Sequence, residues 1–331
     1  MLLLSLSLAL LLLGFVIPMG LAVTGYKLFF AREQGREPLL RTIEEFPGLQ
    51  VDRFTFSSDQ GQKLAGYKYT RAGLQPQGVV IFSQGLGLGG HCYYMALAAY
   101  FTAHGILFLT YDATGTDNSE GQNCVGLEQG VLDLGRVIDY AHNDPELGRY
   151  PITLLGHSWG AYCVCAVLKL HPEVKAVAAV SGFNQPSLLL RHAFSDIAGG
   201  IFSLFVSYMG LIEKFKFGPY ADVTALEGFA ASQANVLIIH SRDDANVPLA
   251  QGYDQYYARY QADPRFHFKL YEDRGHLFIF YTDAARAYTH KYVTEANAVL
   301  TEYGQTHVFD KKVGFETDEE FLAGILEFYQ S

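Results

Sequence analysis

The sequence predicts an α/β fold with a doubly wound, mostly parallel sheet, and three observations carry this prediction. Short apolar runs of strand length alternate with longer helix-compatible segments, which is the pattern of β-α units around a parallel sheet. The 331 residues, half of them hydrophobic, are enough to bury one large core with an appendage. A buried strand, a glycine-flanked turn and an apolar helix follow one another over residues 151–170.

The charge balance argues against a nucleic-acid partner. Lys and Arg total 24 against 34 Asp and Glu, which gives a formal net charge of −10, and no basic patch interrupts this balance. A phosphate backbone would therefore be repelled by most of the surface. The sequence predicts that the protein does not bind nucleic acid.

The four cysteines do not form a zinc-binding pattern. Cys163 and Cys165 are two residues apart on a predicted helix, so their side chains point to different faces. We expect no metal and no other cofactor. Cys92 and Cys124 would be able to pair in an extracytoplasmic domain, whereas buried thiols are the commoner outcome.

The N-terminus is an uncharged apolar stretch over residues 2–23, and about 20 such residues are needed to cross a bilayer as a helix. Residues 1–26 are therefore predicted to be a membrane anchor, followed by a linker at 27–50. The alternative is a cleaved signal peptide and secretion, with Pro18 ending its apolar region and residues 20–22 forming the cleavage site, although no Lys or Arg precedes the run. Basic residues from Lys27 onward favour a cytoplasmic domain, but Glu33 and Glu37 lie among them and leave the side open.

Residues 51–331 are predicted to form the main domain, which begins with an antiparallel hairpin. Alternating hydrophobicity at 54–56 and 64–69 indicates the two strands of that hairpin. The next strand, 79–82, is a short apolar run, as expected for a parallel sheet covered on both faces. Further strands are predicted at 106–111, directly before Gly156, and at 174–180, 235–240 and 266–271. Helices are predicted at 93–104, 127–142, 162–170, 249–262, 283–303 and 318–329.

A mostly helical insertion interrupts the strand-helix alternation at 183–232 and is predicted to form a cap over the cleft. Its apolar run at 197–212 is too short and too broken by glycine to be a second transmembrane span. Phe202, Phe205, Met209 and Ile212 fall on one face at helical spacing. This face either belongs to the ordinary core or contacts an acyl chain. In the second case Phe202, Phe205 and Met209 are candidate substrate contacts.

The glycine-flanked turn has the pattern G-x-S-x-G, formed by Gly156, Ser158 and Gly160. Such glycines allow the backbone to bend sharply between a strand and a helix, which leaves the serine hydroxyl exposed above the strand ends. The N–H of Trp159, which opens the helix, is then placed to face an oxyanion. We expect Ser158 to be a nucleophile.

Candidate partners for Ser158 follow the last two predicted strands. A serine needs a histidine to take its proton, and the histidine needs a carboxylate to fix its tautomer. Asp243 and Asp244 come directly after one strand and His276 follows the next, so all three are expected at the same sheet edge as Ser158. Other histidines fit less well, because His267 lies inside a strand, His290 inside a helix and His157 within the turn itself.

The order Ser, Asp, His at the ends of successive strands resembles the α/β-hydrolase superfamily, over about residues 51–329. The segment 156–160 is similar to the superfamily's nucleophile turn, and Gly275 with His276 matches its G-H segment. The segment 244–248 is similar to its D-x-x-V-P acid segment, and this resemblance selects Asp244 over Asp243.

Two further loops resemble the superfamily with departures. Residues 112–121 are similar to its D-x-x-G-x-G-x-S-x-G loop, but Asp117 replaces the second glycine. Residues 84–87 are similar to its H-G-x-G segment, with Gln84 where histidine is usual. The resemblance implies that the backbone N–H groups of Leu86 and Trp159 form the oxyanion hole and that Gln84 affects substrate shape.

The resemblance implies a serine ester hydrolase without a cofactor, in its esterase or lysophospholipase-like branch. Ser158 would form the acyl-enzyme, His276 would act as base and then acid, and Asp244 would orient it. The anchor and the apolar cap suggest a small acyl ester or a lipid-derived substrate. A peptidase, a thioesterase, an acyltransferase, and a catalytically silent membrane-tethered binding module remain as alternatives.

Overall fold

The structure, a computed structural model, describes residues 7, 10–32, 34, 39–87, 90–198, 201–294 and 299–331, and for 193–198 and 201–206 it describes the backbone alone. Eight strands form one sheet. They are β1 Leu49–Ser57, β2 Lys63–Arg71, β3 Gly78–Ser83, β4 Ile106–Tyr111, β5 Ile152–His157, β6 Ala176–Val180, β7 Asn235–Ser241 and β8 Phe266–Tyr271.

The sheet is mostly parallel, and its strand order is β1-β2-β4-β3-β5-β6-β7-β8. Strands β1 and β2 pair antiparallel, as do β2 and β4, and every later pairing is parallel. The inner strands β3, β5 and β6 read as apolar runs because helices cover both of their faces. The predicted sheet of the α/β-hydrolase type is confirmed, and its parallel strands all end at one edge.

The helices lie on both faces of the sheet. They are α1 Ile17–Phe29, α2 Gly90–Tyr93, α3 Met95–Ala103, α4 Leu127–Asn143, α5 Trp159–Ala166, α6 Pro186–Ala198, α7 Ile201–Phe217, α8 Ala225–Ala231, α9 Tyr253–Tyr260, α10 Asp283–Thr289, α11 Glu302–Thr306, α12 Lys311–Gly314 and α13 Glu319–Gln330. One core joins α1, α4, α5, α8 and α9 to the sheet, and the other joins α3, α10 and α13 to its opposite face.

The long helix predicted at 283–303 is wrong, because α10 ends at Thr289. After it the chain turns, and the Thr301 N–H donates to the Tyr292 carbonyl at 2.7 Å. A Cβ on Gly304 would lie 2.1 Å from that same carbonyl oxygen, so the returning segment is in close contact with Tyr292. The Tyr292 ring packs against the rings of Tyr303 and Phe309, and this aromatic packing replaces the helix.

The insertion after β6 is helical, as predicted, and comprises α6, α7 and α8. Helix α7 packs against the N-terminal helical segment. Tyr208 packs edge-on against Phe15, just before α1, at 5.8 Å, and the Tyr26 hydroxyl of α1 donates to Glu213 at 2.6 Å. The Tyr208 hydroxyl also donates to the carbonyl of Gly14. Segments about 190 residues apart in this chain therefore share one helical layer.

The described N-terminal segment contains one apolar helix of membrane-spanning length, Leu12–Phe29, whose first turn, Leu12–Val16, is π-helical. Ala22, Tyr26 and Phe30 are buried against the domain, whereas its other face is exposed. The segment predicted as a linker also packs on the domain. There the Arg41 guanidinium lies 4.6 Å from the ring centre of Phe46 and 4.9 Å from that of Phe315.

Candidate active site

Ser158 lies at the turn between β5 and α5 with φ of +55°, a region that side chains other than glycine rarely adopt. The two flanking glycines are required by close backbone contacts. A Cβ on Gly160 would lie 1.9 Å from the Ser83 carbonyl oxygen, and one on Gly156 would lie 2.3 Å from the Gly160 oxygen. The Ser158 N–H donates to the Val180 carbonyl at 2.9 Å, which ties the turn to β6.

The structure brings Ser158, His276 and Asp244 together in one hydrogen-bonded chain. The Ser158 hydroxyl lies 2.8 Å from Nε2 of His276, and Nδ1 of His276 lies 2.7 Å from Oδ2 of Asp244. Because an ionised carboxylate only accepts, Nδ1 carries the proton and Nε2 is left to accept from the serine. This arrangement has the geometry of a nucleophile, a base and an orienting acid.

Asp244 is held as a carboxylate by its neighbours. Its Oδ1 accepts the N–H groups of Asn246 at 3.0 Å and Val247 at 2.8 Å, and Nε2 of His240 lies 3.3 Å from its Oδ2. Burial favours the neutral acid, but the neighbouring His276 and His240 lower the pKa of Asp244 well below its usual range. The carboxylate therefore stays charged opposite His276 at neutral pH.

Asp243 is placed differently and contacts the chain just before His276. Its Oδ1 accepts the hydroxyl of Ser241 at 2.6 Å and the N–H of Gly275 at 2.9 Å. It therefore holds the loop that carries His276 and makes none of the described contacts with the imidazole. Among the described contacts, the hydrogen bond to the His276 ring comes from Asp244 and not from Asp243.

His157 is a site residue that sequence reasoning treated only as part of the turn. Its Nε2–H donates to the carbonyl of His276 at 2.9 Å, and its Nδ1 accepts from the Tyr94 hydroxyl at 2.8 Å. Burial and the nearby His276 lower the pKa of His157 to about 3, so the ring is neutral. No local sequence pattern predicts this contact, because His157 in the turn and the Gly275-His276 pair are far apart along the chain.

The proposed oxyanion donors lie on segments that border Ser158. Trp159 is the first residue of α5, so its N–H has no partner within the helix. Leu86 follows β3, and a Cβ on the preceding Gly85 would lie 3.4 Å from the Cβ of Ser158. The two N–H groups therefore belong to the pair of backbone segments that flank the serine.

The predicted substrate contacts are only partly described. Gln84 is buried, and its Nε2 donates to the Thr116 hydroxyl at 3.4 Å, so it connects the oxyanion segment to the following loop. Met209 is buried beside a cavity of about 80 Å³ whose lining includes Glu128 and Glu213 but not the three residues of the hydrogen-bonded chain. The side chains of Phe202 and Phe205 lie outside the described residues.

Metal-binding and disulfide geometry are both absent from the described part of the chain. No group of three or more His, Cys, Asp or Glu side chains there is placed to hold a metal ion. All four cysteines are described, and no disulfide joins any of them.

Comparison with protein families and solved structures places the fold. A family model described as serine aminopeptidase, S33, matches residues 74–218. A sequence comparison with curated proteins finds no significant match.

Two similar solved structures come from archaea. An esterase of Pyrococcus furiosus superposes with a TM-score of 0.56 at 17% identity, over 75% of this chain and 91% of that one. An acylaminoacyl peptidase of Pyrococcus horikoshii superposes with a TM-score of 0.54 at 19% identity, over 70% of this chain and 38% of that one. At these identities the likeness establishes a shared fold.

Proposed function

We propose that the chain is a serine hydrolase of the α/β-hydrolase superfamily, which the matched family model and the similar esterase fold support, and that it cleaves carboxylic esters through an acyl-enzyme on Ser158. The observation that carries this proposal is the hydrogen-bonded chain from Ser158 through His276 to Asp244 at the carboxyl edge of the sheet. The reaction needs no cofactor, because these side chains and two backbone N–H groups supply a nucleophile, a base and an oxyanion site.

In the acylation step, the Ser158 oxygen attacks the ester carbonyl while Nε2 of His276 takes its proton. Asp244 holds the imidazole in the tautomer that accepts this proton and stabilises the imidazolium that forms. The charge that develops on the carbonyl oxygen is stabilised by the N–H groups of Leu86 and Trp159. The imidazolium then gives its proton to the departing alcohol.

In the deacylation step, water attacks the acyl group and Nε2 of His276 takes the proton of that water. The same two N–H groups stabilise the second tetrahedral intermediate, and Ser158 recovers its proton when the acid departs. Neutral His157, which donates to the backbone carbonyl of His276, keeps the imidazole in place through both steps.

A peptidase is the second candidate, favoured by one observation. The family model that matches residues 74–218 is described as a serine aminopeptidase. Amide cleavage would use the same three side chains and water as the acyl acceptor, so the leaving group, an alcohol or an amine, separates the two functions. The apolar N-terminal helix and the apolar face of the cap favour an acyl ester, including a lipid-derived one.

The experiment that separates them is a substrate screen on the full chain. We expect turnover of p-nitrophenyl esters of short and long acyl chains, little turnover of aminoacyl and acylaminoacyl p-nitroanilides, and loss of ester turnover in Ser158→Ala. Faster turnover of the anilides than of the matched esters would reject the esterase and favour the peptidase.

We also propose that residues 1–26 anchor the protein in a membrane, with 27–50 connecting to a catalytic domain at 51–331 that carries its cap at about 183–232. Support comes from the spanning length of Leu12–Phe29 and from the exposure of Leu13, Ile17 and Leu28 on it. A cleaved signal peptide is the alternative, and the burial of Tyr26 against Glu213 of the cap speaks for retention of the helix.

A further inference from the structure

A second hydrogen-bonded chain of side chains, formed by Cys92, His91 and Asp112, takes no part in the proposed reaction. The Cys92 sulfur lies 3.1 Å from Nε2 of His91, and Nδ1 of His91 lies 2.9 Å from Oδ1 of Asp112. Cys92 and His91 belong to the one-turn helix α2, and Asp112 directly follows β4. A thiol, an imidazole and a carboxylate are thus connected in series.

The imidazole of His91 is fixed on two sides. Its ring stacks on that of Tyr67 with 3.9 Å between the centroids and an interplanar angle of 17°. Asp112 is fully buried, and its Oδ2 accepts the Tyr67 hydroxyl at 2.8 Å and the Asn118 N–H at 3.2 Å. Nδ1 of His91 therefore faces a fixed carboxylate, and Nε2 faces the sulfur.

The charge state of His91 suits a neighbouring sulfur anion. Burial opposes a charged ring, but hydrogen bonds with Asp112 and Cys92 raise the pKa of His91 to about 9. The ring is then an imidazolium at neutral pH, and its Nε2–H points at the sulfur. A cation in hydrogen-bond contact stabilises a thiolate, which is the nucleophilic form of cysteine.

Cys92 differs from the other three cysteines in its exposure to solvent. It is partly exposed, whereas Cys124, Cys163 and Cys165 are buried. Burial raises the pKa of the Cys163 and Cys165 thiols, which keeps them neutral and unreactive. The chain therefore carries its own internal controls for thiol reactivity.

We propose that Cys92 is a modification site that accepts half of a low-molecular-weight disulfide, with His91 stabilising the sulfur anion and Asp112 positioning His91. Cys92 gives its proton to the buffer, and its sulfur attacks one sulfur of the disulfide and forms a new S–S bond. The original S–S bond breaks, and the other half leaves as a thiolate that takes a proton from the buffer. The Cys92 sulfur is oxidised and the departing half is reduced, so no further reactant is needed.

The position of Cys92 links the adduct to the proposed active site. Helix α2 begins four residues after Leu86 in the sequence, and Tyr94, two residues after Cys92, donates to His157. We expect the adduct to displace this segment and to slow ester turnover severalfold. This consequence rests on the proposed function, whereas the formation of the adduct does not.

The test uses the full chain and oxidised glutathione at neutral pH, with intact mass and peptide sequencing as readouts. One glutathionyl adduct on Cys92 is expected, none on the three buried cysteines, and none in Cys92→Ser, which keeps its ester turnover. His91→Gln is expected to lower the rate of adduct formation about tenfold. An adduct only on another cysteine, or an undiminished rate in folded His91→Gln, would overturn the proposal.

Different results would reject the proposed ester hydrolysis and the proposed modification of Cys92. Absence of ester turnover and of fluorophosphonate labelling in the unmodified protein would remove the proposed function and leave the mass measurement standing. An adduct on Cys92 that leaves turnover unchanged, or that dithiothreitol removes without restoring turnover, would reject the link to the active site.

Discussion

The two adjacent carboxylates after β7 have different contacts, and a matched pair of substitutions separates them. Asp244→Asn is expected to lower kcat by about 10⁴, because an amide opposite Nδ1 of His276 favours the wrong imidazole tautomer. Asp243→Asn keeps an oxygen that accepts from Ser241 and Gly275, so kcat should fall much less. Both kcat values are measured with one p-nitrophenyl ester, and equal losses or a reversed order would reject Asp244 as the orienting acid.

His157 gives a second prediction for single residues. His157→Leu removes the donor to the His276 carbonyl and should lower kcat about 100-fold with little change in KM, since a small displacement of the base is enough for this loss. His157→Gln keeps a side-chain donor and should restore part of kcat. The kinetics are measured below the melting temperature of each variant, and identical kcat values for the two variants would argue against a positioning role.

The site residues differ in how far the sequence predicted them. Ser158 and His276 follow strand ends, so their approach was predictable from strand order and from the G-x-S-x-G turn. Asp244 was separable from Asp243 only through a family-like segment, because both carboxylates leave the same strand. The contact of His157 joins residues 119 positions apart through a side chain and a backbone carbonyl, and no local pattern encodes it.

Glu128 of α4 and Glu213 of α7 are neighbouring carboxyl groups in the helical layer, and they predict how the stability of the fold depends on pH. Burial and the neighbouring Glu213 raise the pKa of Glu128 well above its usual range. A carboxyl whose pKa is raised by folding stabilises the fold at acid pH, and this stability is lost as the pH rises through the raised pKa. The protein should therefore lose stability towards alkaline pH through Glu128.

The variant Glu128→Gln tests whether stability falls as the pH rises. Its amide keeps an oxygen for the Asp222 N–H and carries no charge, so its Tm should exceed that of the unmodified protein by an amount that grows from pH 5 to pH 9. Glu272→Gln, at an exposed ion pair with Arg242, is the control and should show no such growth. A Tm difference that is constant with pH, or that shrinks, would contradict the raised pKa.

Secondary structure was predictable where one face or both faces of an element are apolar. Strand β4 has the predicted limits because it is a six-residue apolar run between turn signals, and β8 has them because apolar and polar residues alternate along it. The segment after Thr289 was not predictable, because the rings of Tyr292, Tyr303 and Phe309 override a helix-compatible sequence. The pairing of α1 with α7 joins residues about 190 positions apart and has no local signal.

Truncation of the N-terminus tests the anchor in the whole molecule. The full chain should pellet with membranes and resist carbonate extraction. Deletion of residues 1–16 leaves too short an apolar helix to span, so it should release the protein while Tyr26 still contacts Glu213. Deletion of residues 1–30 removes that contact and uncovers the cap, so it should lower the Tm further. A mature N-terminus near Val23 in a soluble extracytoplasmic fraction would instead establish a signal peptide.

Labelling with a fluorophosphonate probe tests the central claim, that Ser158 is an activated nucleophile, most directly. Such an electrophile reacts at neutral pH with a serine whose proton a neighbouring histidine takes. The folded full chain should carry one probe molecule, mapped to Ser158, and Ser158→Ala should carry none. Undiminished labelling of Ser158→Ala, or no labelling of the folded native chain, would contradict the account.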